Sequence, residues 1–299
     1  MPHDHNHSHQ PGNIKLAFFL NMGFTIFEFI GGFYVNSVAI VADALHDAGD
    51  SLSLGLSWYL DKKSKKQGNQ KYTFGYQRFS LLGALINSII LIAGSCFVIY
   101  EAVQRLAAPE HSDAKGMLAF AIVGIVVNSI AAFRLSKGKS LNEKVLQWHL
   151  LEDVLGWAAV LVTSIVLIFT DIHILDPLLS LAITAYILWN VIKRLVDTMK
   201  IFLQGAPEKI NIQELEQKLG AIPHVASVHH AHVWSLDGEH HVLTAHIKLK
   251  RVKSLGEVSE LKNKVKDALK EYDLEHVTIE TEQDDEVCVN EIINERSPS

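Results

Sequence analysis

Long apolar stretches separated by short polar loops dominate the first two-thirds of the chain. A helix that crosses a membrane needs about 20 mostly apolar residues to span about 30 Å of hydrocarbon. Six windows meet this requirement and predict an α-helical membrane domain with six transmembrane helices over residues 14–204. The windows are Ile14–Val35, Ser37–Leu60, Ser80–Val103, Gly116–Leu135, Leu146–Phe169 and Ile174–Ile192.

The pattern changes near Gly205 to shorter elements with ordinary soluble composition. Apolar residues recur there at helical spacing in two segments and alternate with polar residues in others, as in strands. The order helix, strand, strand, helix, strand predicts a small α+β domain over residues 205–299. The helices are Ile212–Leu219 and Val258–Tyr272, and the strands are Val225–Leu236, His240–Leu249 and Val277–Glu282.

Charge and composition separate the same two parts and exclude several classes of function. Residues 1–204 contain 16 Lys and Arg against 15 Asp and Glu, whereas residues 205–299 contain 11 against 18. The net charge of −6 argues against binding to nucleic acid. No GxxxxGK[ST] motif is present, so a nucleotide is not expected as the energy source. Two cysteines exclude a disulfide scaffold.

Lysine and arginine residues in the short loops predict the orientation of the spans. Basic residues accumulate in the loops after spans two, four and six, whereas the opposite side carries only Arg105 and Lys115. Since loops rich in Lys and Arg stay in the cytoplasm, both termini are predicted to be cytoplasmic. We expect an integral protein of the bacterial inner membrane, in contact with the lipid bilayer along its spans.

Two spans contain histidine and aspartate four residues apart. His46 and Asp50 share one face of span two, and His149 and Asp153 share one face of span five. A carboxylate in a hydrocarbon-spanning helix costs about 2.5–3.5 kcal/mol, so it is expected to face a bundle interior or coordinate an ion. The two pairs together offer two imidazoles and two carboxylates, a ligand set that suits tetrahedral Zn²⁺. Helix–helix contact or a proton relay without metal is the alternative.

Two further acids, Asp43 and Asp47, lie on the same side of span two. They form an alternative pair of metal ligands with the same spacing, or they orient the ligands without binding the metal themselves. In the C-terminal domain, the first strand contains His229, His230 and His232. Strict alternation along this strand predicts that His230 and His232 share one face and that His229 lies on the other. A polar strand surface without metal is the alternative there.

Several motifs resemble those of the cation diffusion facilitators, in particular the zinc-type branch with histidine in span two. The similar segments are Ser37–Leu54, Phe74-Gly-Tyr-Gln-Arg78, Leu82–Asn87, His149-Leu-Leu-Glu-Asp153, Asp176-Pro-Leu-Leu-Ser180 and His232-Val-Trp-Ser-Leu236. The resemblance implies a homodimer of six-span protomers that exports divalent metal from the cytoplasm in exchange for protons. It implies a secondary transporter rather than an enzyme, with His46, Asp50, His149 and Asp153 as the transport site.

The same resemblance implies a ferredoxin-like fold for the C-terminal domain and metal sites on its sheet. It favours His232, His246 and Glu282 as one site, with His229 or Glu280 in another. Cys288 and the acids of residues 284–286 are candidates of lower rank. Zn²⁺ is the expected substrate and a structural or regulatory ion as well, and Cd²⁺, Co²⁺ and Fe²⁺ are the other ions considered.

The first 13 residues predict a disordered tail in which His3, His5, His7 and His9 alternate with other residues. This tail is expected to capture metal loosely. A membrane sensor or scaffold whose C-terminal domain responds to zinc without transport is the alternative function. The histidine–aspartate pairs inside the spans argue against this alternative, because a sensor does not need them.

Overall fold

A computed structural model describes residues 11–64, 66, 68–136, 141–170, 172–252, 254–283, 286 and 288. The chain forms two compact units. The first comprises residues up to Gln67 together with Leu82–Val196, and the second comprises Gly68–Leu81 together with the residues from Asp197 onward. One boundary between the two units lies near residue 197, within the helix Leu175–Phe202.

Helices occupy all six of the windows predicted from hydropathy. Within the described residues, four of them are long and apolar enough to cross a membrane: α3, α4, α5 and α6. Helix α2 carries three aspartates in its middle, which makes it less apolar than a simple span. The bounds are α1 Pro11–Tyr34, α2 Val38–Ser64, α3 Phe79–Ala107, α4 Ala114–Leu135, α5 Leu141–Thr170 and α6 Leu175–Phe202.

Small residues let neighbouring helices of the first unit approach closely. A Cβ atom at Gly124 of α4 would overlap the indole of Trp157 on α5, so only glycine fits there. Trp157 is almost fully buried and packs with Val35, Ile40 and Met117. Close helix–helix contact through small residues is typical of membrane proteins, where hydrocarbon surrounds the bundle.

The turn between α1 and α2 is fixed by polar contacts at its apex. Asn36 adopts a left-handed conformation with φ of 53°, which asparagine tolerates better than most residues. Arg105 of α3 donates to the main-chain oxygen and to Oδ1 of Asn36, both at 2.8 Å. The oxygen of Asn36 also accepts a hydrogen bond from Ser112 at 3.0 Å. This network holds the start of α2 against the ends of its neighbours.

The second unit contains the predicted α+β elements in the predicted order. They are α7 Ile212–Gly220, β1 Val225–Ser235, β2 His241–Leu249, α8 Leu255–Leu269, a short 3₁₀ helix Lys270–Tyr272, and β3 Leu274–Glu282. The sheet order is β1-β2-β3, with β1 antiparallel and β3 parallel to β2. Leu243, Ala245 and Ile247 of β2 face α7 and α8 in the core. The residues that alternate with them on β2 therefore point to the opposite face of the sheet.

The loop before α3 packs on β3 within this unit. Gln77 donates to both carboxylate oxygens of Glu275, at 3.2 and 3.0 Å. The ring of Phe74 lies 5.2 Å from the imidazole of His276. Strand β3 begins at Leu274, three residues earlier than the alternation in the sequence predicts, and these loop contacts fall on that added segment.

Candidate metal sites

The first candidate site, which we call the span site, lies between α2 and α5. His46 and Asp50 project from α2, and His149 and Asp153 project from α5. The imidazoles of His46 and His149 are 5.8 Å apart between ring centres and nearly perpendicular. The two histidine–aspartate pairs predicted from separate spans are therefore brought together by helix packing.

Asp50 lies between the two imidazoles of the span site. Its Oδ2 is 3.0 Å from Nε2 of His149 and 3.6 Å from Nε2 of His46. One donor atom from each of these three residues lies within 4.8 Å of the other two. Bonds of about 2.0–2.3 Å separate the ligand atoms of a tetrahedral zinc ion by about 3.3–3.7 Å. The three side chains already have separations that one ion can bridge.

The carboxylate of Asp153 completes the set at slightly longer range. Its Oδ2 is 4.0 Å from Nε2 of His149, and its side chain is 8% exposed, compared with 21–28% for the other three. Oδ2 of Asp50 is buried and accepts no well-aligned hydrogen bond from the described part of the chain. Two imidazoles and two carboxylates form a set of ligands suited to a dication.

A second group of acids lies beside the span site. Asp43 and Asp47 of α2 are 7% and 4% exposed, and Glu28 of α1 is fully buried. Glu28 interacts electrostatically with Asp43, Asp47 and Asp153. Glu28 lies within hydrogen-bonding reach of Asp47, but neither of its carboxylate oxygens makes a well-aligned hydrogen bond within the described residues. Asp43 and Asp47 therefore lie near a third acid, Glu28, which belongs to a different helix.

This arrangement makes a testable prediction about stability. Glu28→Gln replaces a buried carboxyl among other acids by a neutral group of the same shape that donates hydrogen bonds. We expect the metal-free protein to become more stable by about 1–2 kcal/mol at neutral pH. Thermal unfolding in detergent measures this change, with Glu152→Gln, an exposed acid on α5, as the matched control. A marked loss of stability in Glu28→Gln alone would contradict the expectation.

The second candidate site, which we call the strand site, lies on the face of the sheet opposite α7 and α8. His229 of β1 pairs directly with His246 of β2, and His246 pairs with Glu280 of β3. Glu282 lies two residues further along β3 and therefore shares the face of Glu280. The antiparallel and parallel ladders together place side chains from all three strands around His246.

A β-bulge in β1 changes the faces predicted for its histidines. The register passes from His229 opposite His246 to His232 opposite Thr244, so two residues of β1 face a single residue of β2. His230 lies in the bulge with φ of 47°. Strict alternation was therefore the wrong assumption, because an extra residue shifts the pattern by one position. His229 and His232 now share a face, and His230 lies 5.5 Å from His246 between ring centres.

Four donor side chains of the strand site converge within 4.8 Å: His229, His246, Glu282 and Cys288. Glu282 lies 2.7 Å from Nδ1 of His246 and 3.1 Å from Nε2 of His229. Glu280, which is largely exposed, reaches Nε2 of His246 at 3.3 Å. His232 is exposed and lies outside this group of four. The geometry thus joins His229, rather than His232, to His246 and Glu282.

The strand site favours an ionised carboxylate at Glu282. Burial acts to raise the pKa of this carboxyl, but hydrogen bonds with His246 and Cys288 and the nearby His229 outweigh it. The pKa of Glu282 consequently lies below its usual value. Nε2 of His229 is buried and makes no well-aligned hydrogen bond with the described residues. An anionic carboxylate beside such a nitrogen fits a bound cation.

Comparison with known protein families assigns both units. Residues 14–203 match the model described as the cation efflux transmembrane domain, and residues 207–284 match the cation efflux protein cytoplasmic domain. The chain belongs to the cation efflux family. The resemblance to cation diffusion facilitators is confirmed, and the chain is an integral membrane protein of a family of transporters.

Bacterial relatives of the cation efflux family match nearly the whole chain. A cadmium, cobalt and zinc/H(+)-K(+) antiporter of Bacillus subtilis is 31% identical over 94% of this chain and 92% of its own length. The zinc transporter ZitB of Escherichia coli is 31% identical over 94% and 93%, respectively. The metal cation efflux system protein CzcD of Cupriavidus metallidurans is 31% identical over 93% and 89%.

Two residues at the sites of this cation efflux protein were poorly predicted from the sequence. Glu28 was not predicted as a site residue, and Cys288 was a candidate of lower rank. Glu28 is a lone acid in an apolar span, and the cost of burying a carboxylate in hydrocarbon was a sufficient signal. Cys288 follows β3, and its distance along the chain from His246 gives no signal of their contact. The histidines of residues 3–9 and the acids at 284 and 285 lie outside the described residues.

Proposed function

We propose that this protein exports divalent cations, and zinc in particular, from the cytoplasm by exchange for protons. The observation that carries the proposal is the position of Asp50 between His46 and His149, within 3.6 Å of both Nε2 atoms. A site built from two helices can bind an ion and change its accessibility when the helices move. His46, Asp50, His149 and Asp153 are the ligands that we assign to the transported ion.

The ligand set favours zinc among the divalent cations. Imidazole and carboxylate suit tetrahedral Zn²⁺, and two carboxylates balance its two positive charges within the membrane. The names of the quoted relatives include zinc, cadmium and cobalt, which form similar bonds with these donors. We therefore retain cadmium and cobalt as secondary substrates, and none of those names supports Fe²⁺.

Competition between protons and metal for the same ligands supplies the coupling. Histidine and carboxylate must lose their protons to bind a metal ion, so metal affinity falls as pH falls. Histidine ordinarily titrates near pH ~6.5, which lies within the range of physiological pH differences. In the proposed cycle the metal binds from the cytoplasm and is displaced by protons when the site opens to the more acidic exterior.

The architecture that we propose has six transmembrane helices per protomer and cytoplasmic termini in the inner membrane. All six predicted windows are helical, and the basic residues accumulate on one side. The mixed sheet with α7 and α8 on one face supports a ferredoxin-like cytoplasmic domain. We further propose that this domain pairs two protomers, in agreement with the family model that matches it.

Transport is tested with purified protein in proteoliposomes that contain a zinc-sensitive dye. We expect zinc uptake that increases when the lumen is more acidic than the medium and that stops when a proton ionophore collapses the gradient. Empty liposomes provide the background. Absence of uptake for zinc, cadmium and cobalt would falsify the transporter proposal, and zinc binding without uptake would favour the sensor alternative.

A separate prediction concerns the number of metal ions that each protomer binds at the strand site. Metal removal with a chelator followed by addition of zinc is expected to restore one ion fewer per protomer in His246→Ala than in the wild type. The reason is that His246 contacts Glu280, Glu282 and Cys288 at the centre of the site. Metal analysis after gel filtration measures the stoichiometry. His276→Ala, a partly exposed histidine on β3 that packs on Phe74, is the control and should retain the ion.

A further inference from the structure

We propose that the thiolate of Cys288 is the fourth ligand of the strand-site metal, so that the bound ion fastens the C-terminal segment to the sheet. This inference rests on the proposed function of His229, His246 and Glu282 as a metal site. It adds a ligand from outside the strands, and it changes the chemical class of the site from nitrogen and oxygen donors to one that includes sulfur.

The position of Cys288 meets the geometric requirement for a ligand. Its Sγ lies 3.5 Å from Nδ1 of His246. A sulfur and a nitrogen bound to one tetrahedral zinc ion, at about 2.3 and 2.0–2.1 Å, are separated by about 3.5 Å. Cys288 is also within hydrogen-bonding reach of Glu282, so three types of donor meet at one point.

Burial supports the same assignment. Cys288 is 4% exposed and Glu282 is 3% exposed, although Glu282 is the last residue of β3 and Cys288 lies outside the strands. The other cysteine of the chain, Cys96, is exposed on α3. The neighbours of the thiol are a buried carboxylate and two imidazoles, so packing in an apolar core does not explain why Cys288 is buried. Coordination of one ion gives these polar groups a common partner, including Nε2 of His229, which makes no well-aligned hydrogen bond within the described residues.

Contacts of Gln283 and Glu286 hold the chain after β3 beside β2. The main-chain N–H of Glu286 donates to the oxygen of Gln283 at 3.1 Å, and Oε2 of Glu286 accepts from the N–H of Gln283 at 3.0 Å. Lys248 of β2, two residues from His246, donates to the main-chain oxygen of Glu286 at 3.4 Å. Glu286 and Cys288 therefore both lie next to β2 at the strand site.

A thiolate ligand gives the site two properties that histidine and carboxylate alone do not provide. Sulfur is a soft donor, so the site should hold Cd²⁺ and Zn²⁺ in preference to harder divalent ions. Loss of the thiolate by substitution should therefore weaken metal binding and remove the link between Cys288 and the sheet.

Cobalt spectroscopy of the full-length protein in detergent tests this inference. The metal-free protein is titrated with Co²⁺, whose bond to a thiolate produces a sulfur-to-metal charge-transfer band in the near ultraviolet. We expect the band in the wild type and in Cys96→Ser, and we expect it to be absent in Cys288→Ser and in His246→Ala. Since the chain contains two cysteines, this pair of serine variants assigns the band to a single residue.

Competition with a chelator gives a second, independent measurement. The affinity of the strand site for zinc is expected to fall at least roughly tenfold in Cys288→Ser, and the affinity for cadmium is expected to fall further. One outcome would overturn the inference and leave the strand site in place. In that outcome His246→Ala loses one bound ion, Cys288→Ser keeps the wild-type affinity for zinc, and the wild type shows no charge-transfer band with cobalt. If His246→Ala retains all bound cobalt and zinc, the strand site itself is wrong.

Discussion

Asp50→Asn is expected to reduce the initial rate of zinc uptake into proteoliposomes by roughly a hundredfold or more. Asp50 contacts both imidazoles of the span site, so its loss affects a proposed ligand on each of α2 and α5. Asparagine keeps the size of the side chain but removes its charge. The bound dication then has one uncompensated positive charge inside the membrane, which is costly in a medium of low polarity.

Matched variants separate this effect from a general loss of charge. Asp153→Asn is expected to act in the same direction, because Asp153 is the other buried carboxylate near His149. Glu152→Gln changes the adjacent, exposed acid on α5 and should transport at close to the wild-type rate. Asp47→Asn should slow transport less than Asp50→Asn, because Asp47 faces Glu28 rather than the two imidazoles. Wild-type uptake by Asp50→Asn would overturn the assignment of the span site.

Asp176→Ala is expected to destabilise the membrane unit by about 3 kcal/mol. Asp176 is fully buried at the start of α6 and accepts hydrogen bonds at the N-terminus of α2. Its Oδ1 accepts from Oγ of Ser37 at 2.6 Å, and its Oδ2 accepts from the N–H of Val38 at 2.8 Å. Alanine leaves these donors unpaired in the interior and removes a negative charge from the positive end of the helix dipole.

Thermal unfolding in detergent measures the loss, and the yield of monodisperse protein gives a second readout. Asp113→Ala is the matched control, because Asp113 caps α4 through the N–H of Lys115 but is exposed. Loss of an exposed cap of this kind costs about 1 kcal/mol. Similar losses of stability in the two variants would show that the contact of α6 with α2 contributes no more than an ordinary cap.

Asp176 of α6 also bears on zinc transport, because it caps the helix α2 that carries two of the proposed ligands. Helix α2 carries His46 and Asp50 within four turns of the end that Asp176 holds. A shift at this end would move both ligands relative to His149 on α5. The prediction for Asp176→Ala therefore includes a secondary loss of zinc transport, although Asp176 contacts neither imidazole.

The six helices of the first unit and the two histidine–aspartate pairs could be predicted because each depends on local pattern. Twenty apolar residues predict a helix, and a spacing of four predicts that His46 and Asp50 share a face. The start of β3 was predicted less well, because Leu274 and His276 pair with β2 and the loop before α3 contacts Glu275 and His276, and these partners lie far away in sequence. A pattern within one segment contains no information about such contacts.

The faces of β1 show the same limit at the scale of a single residue. Alternation gave the wrong face for His229 relative to His232, because the bulge at His230 depends on how β1 pairs with β2. Whether His229 or His232 joins His246 at the strand site could therefore be decided only from the register of the sheet. The strand site also requires β3 and the segment after it, which bring Glu282 and Cys288 to His246 from 36 and 42 residues away.

The sequence by itself determined the six helices of the first unit, the types of the candidate ligands and the helix faces on which they lie, because hydrophobic and chemical patterns repeat with the period of the local structure. Only the tertiary structure decided which faces meet. It placed Asp50 between two imidazoles, added Glu28 to the acids of α2, and joined Cys288 to the strand histidines. Distances between side chains on different elements depend on packing and register, and those follow from the free energy of the whole fold rather than from any one segment.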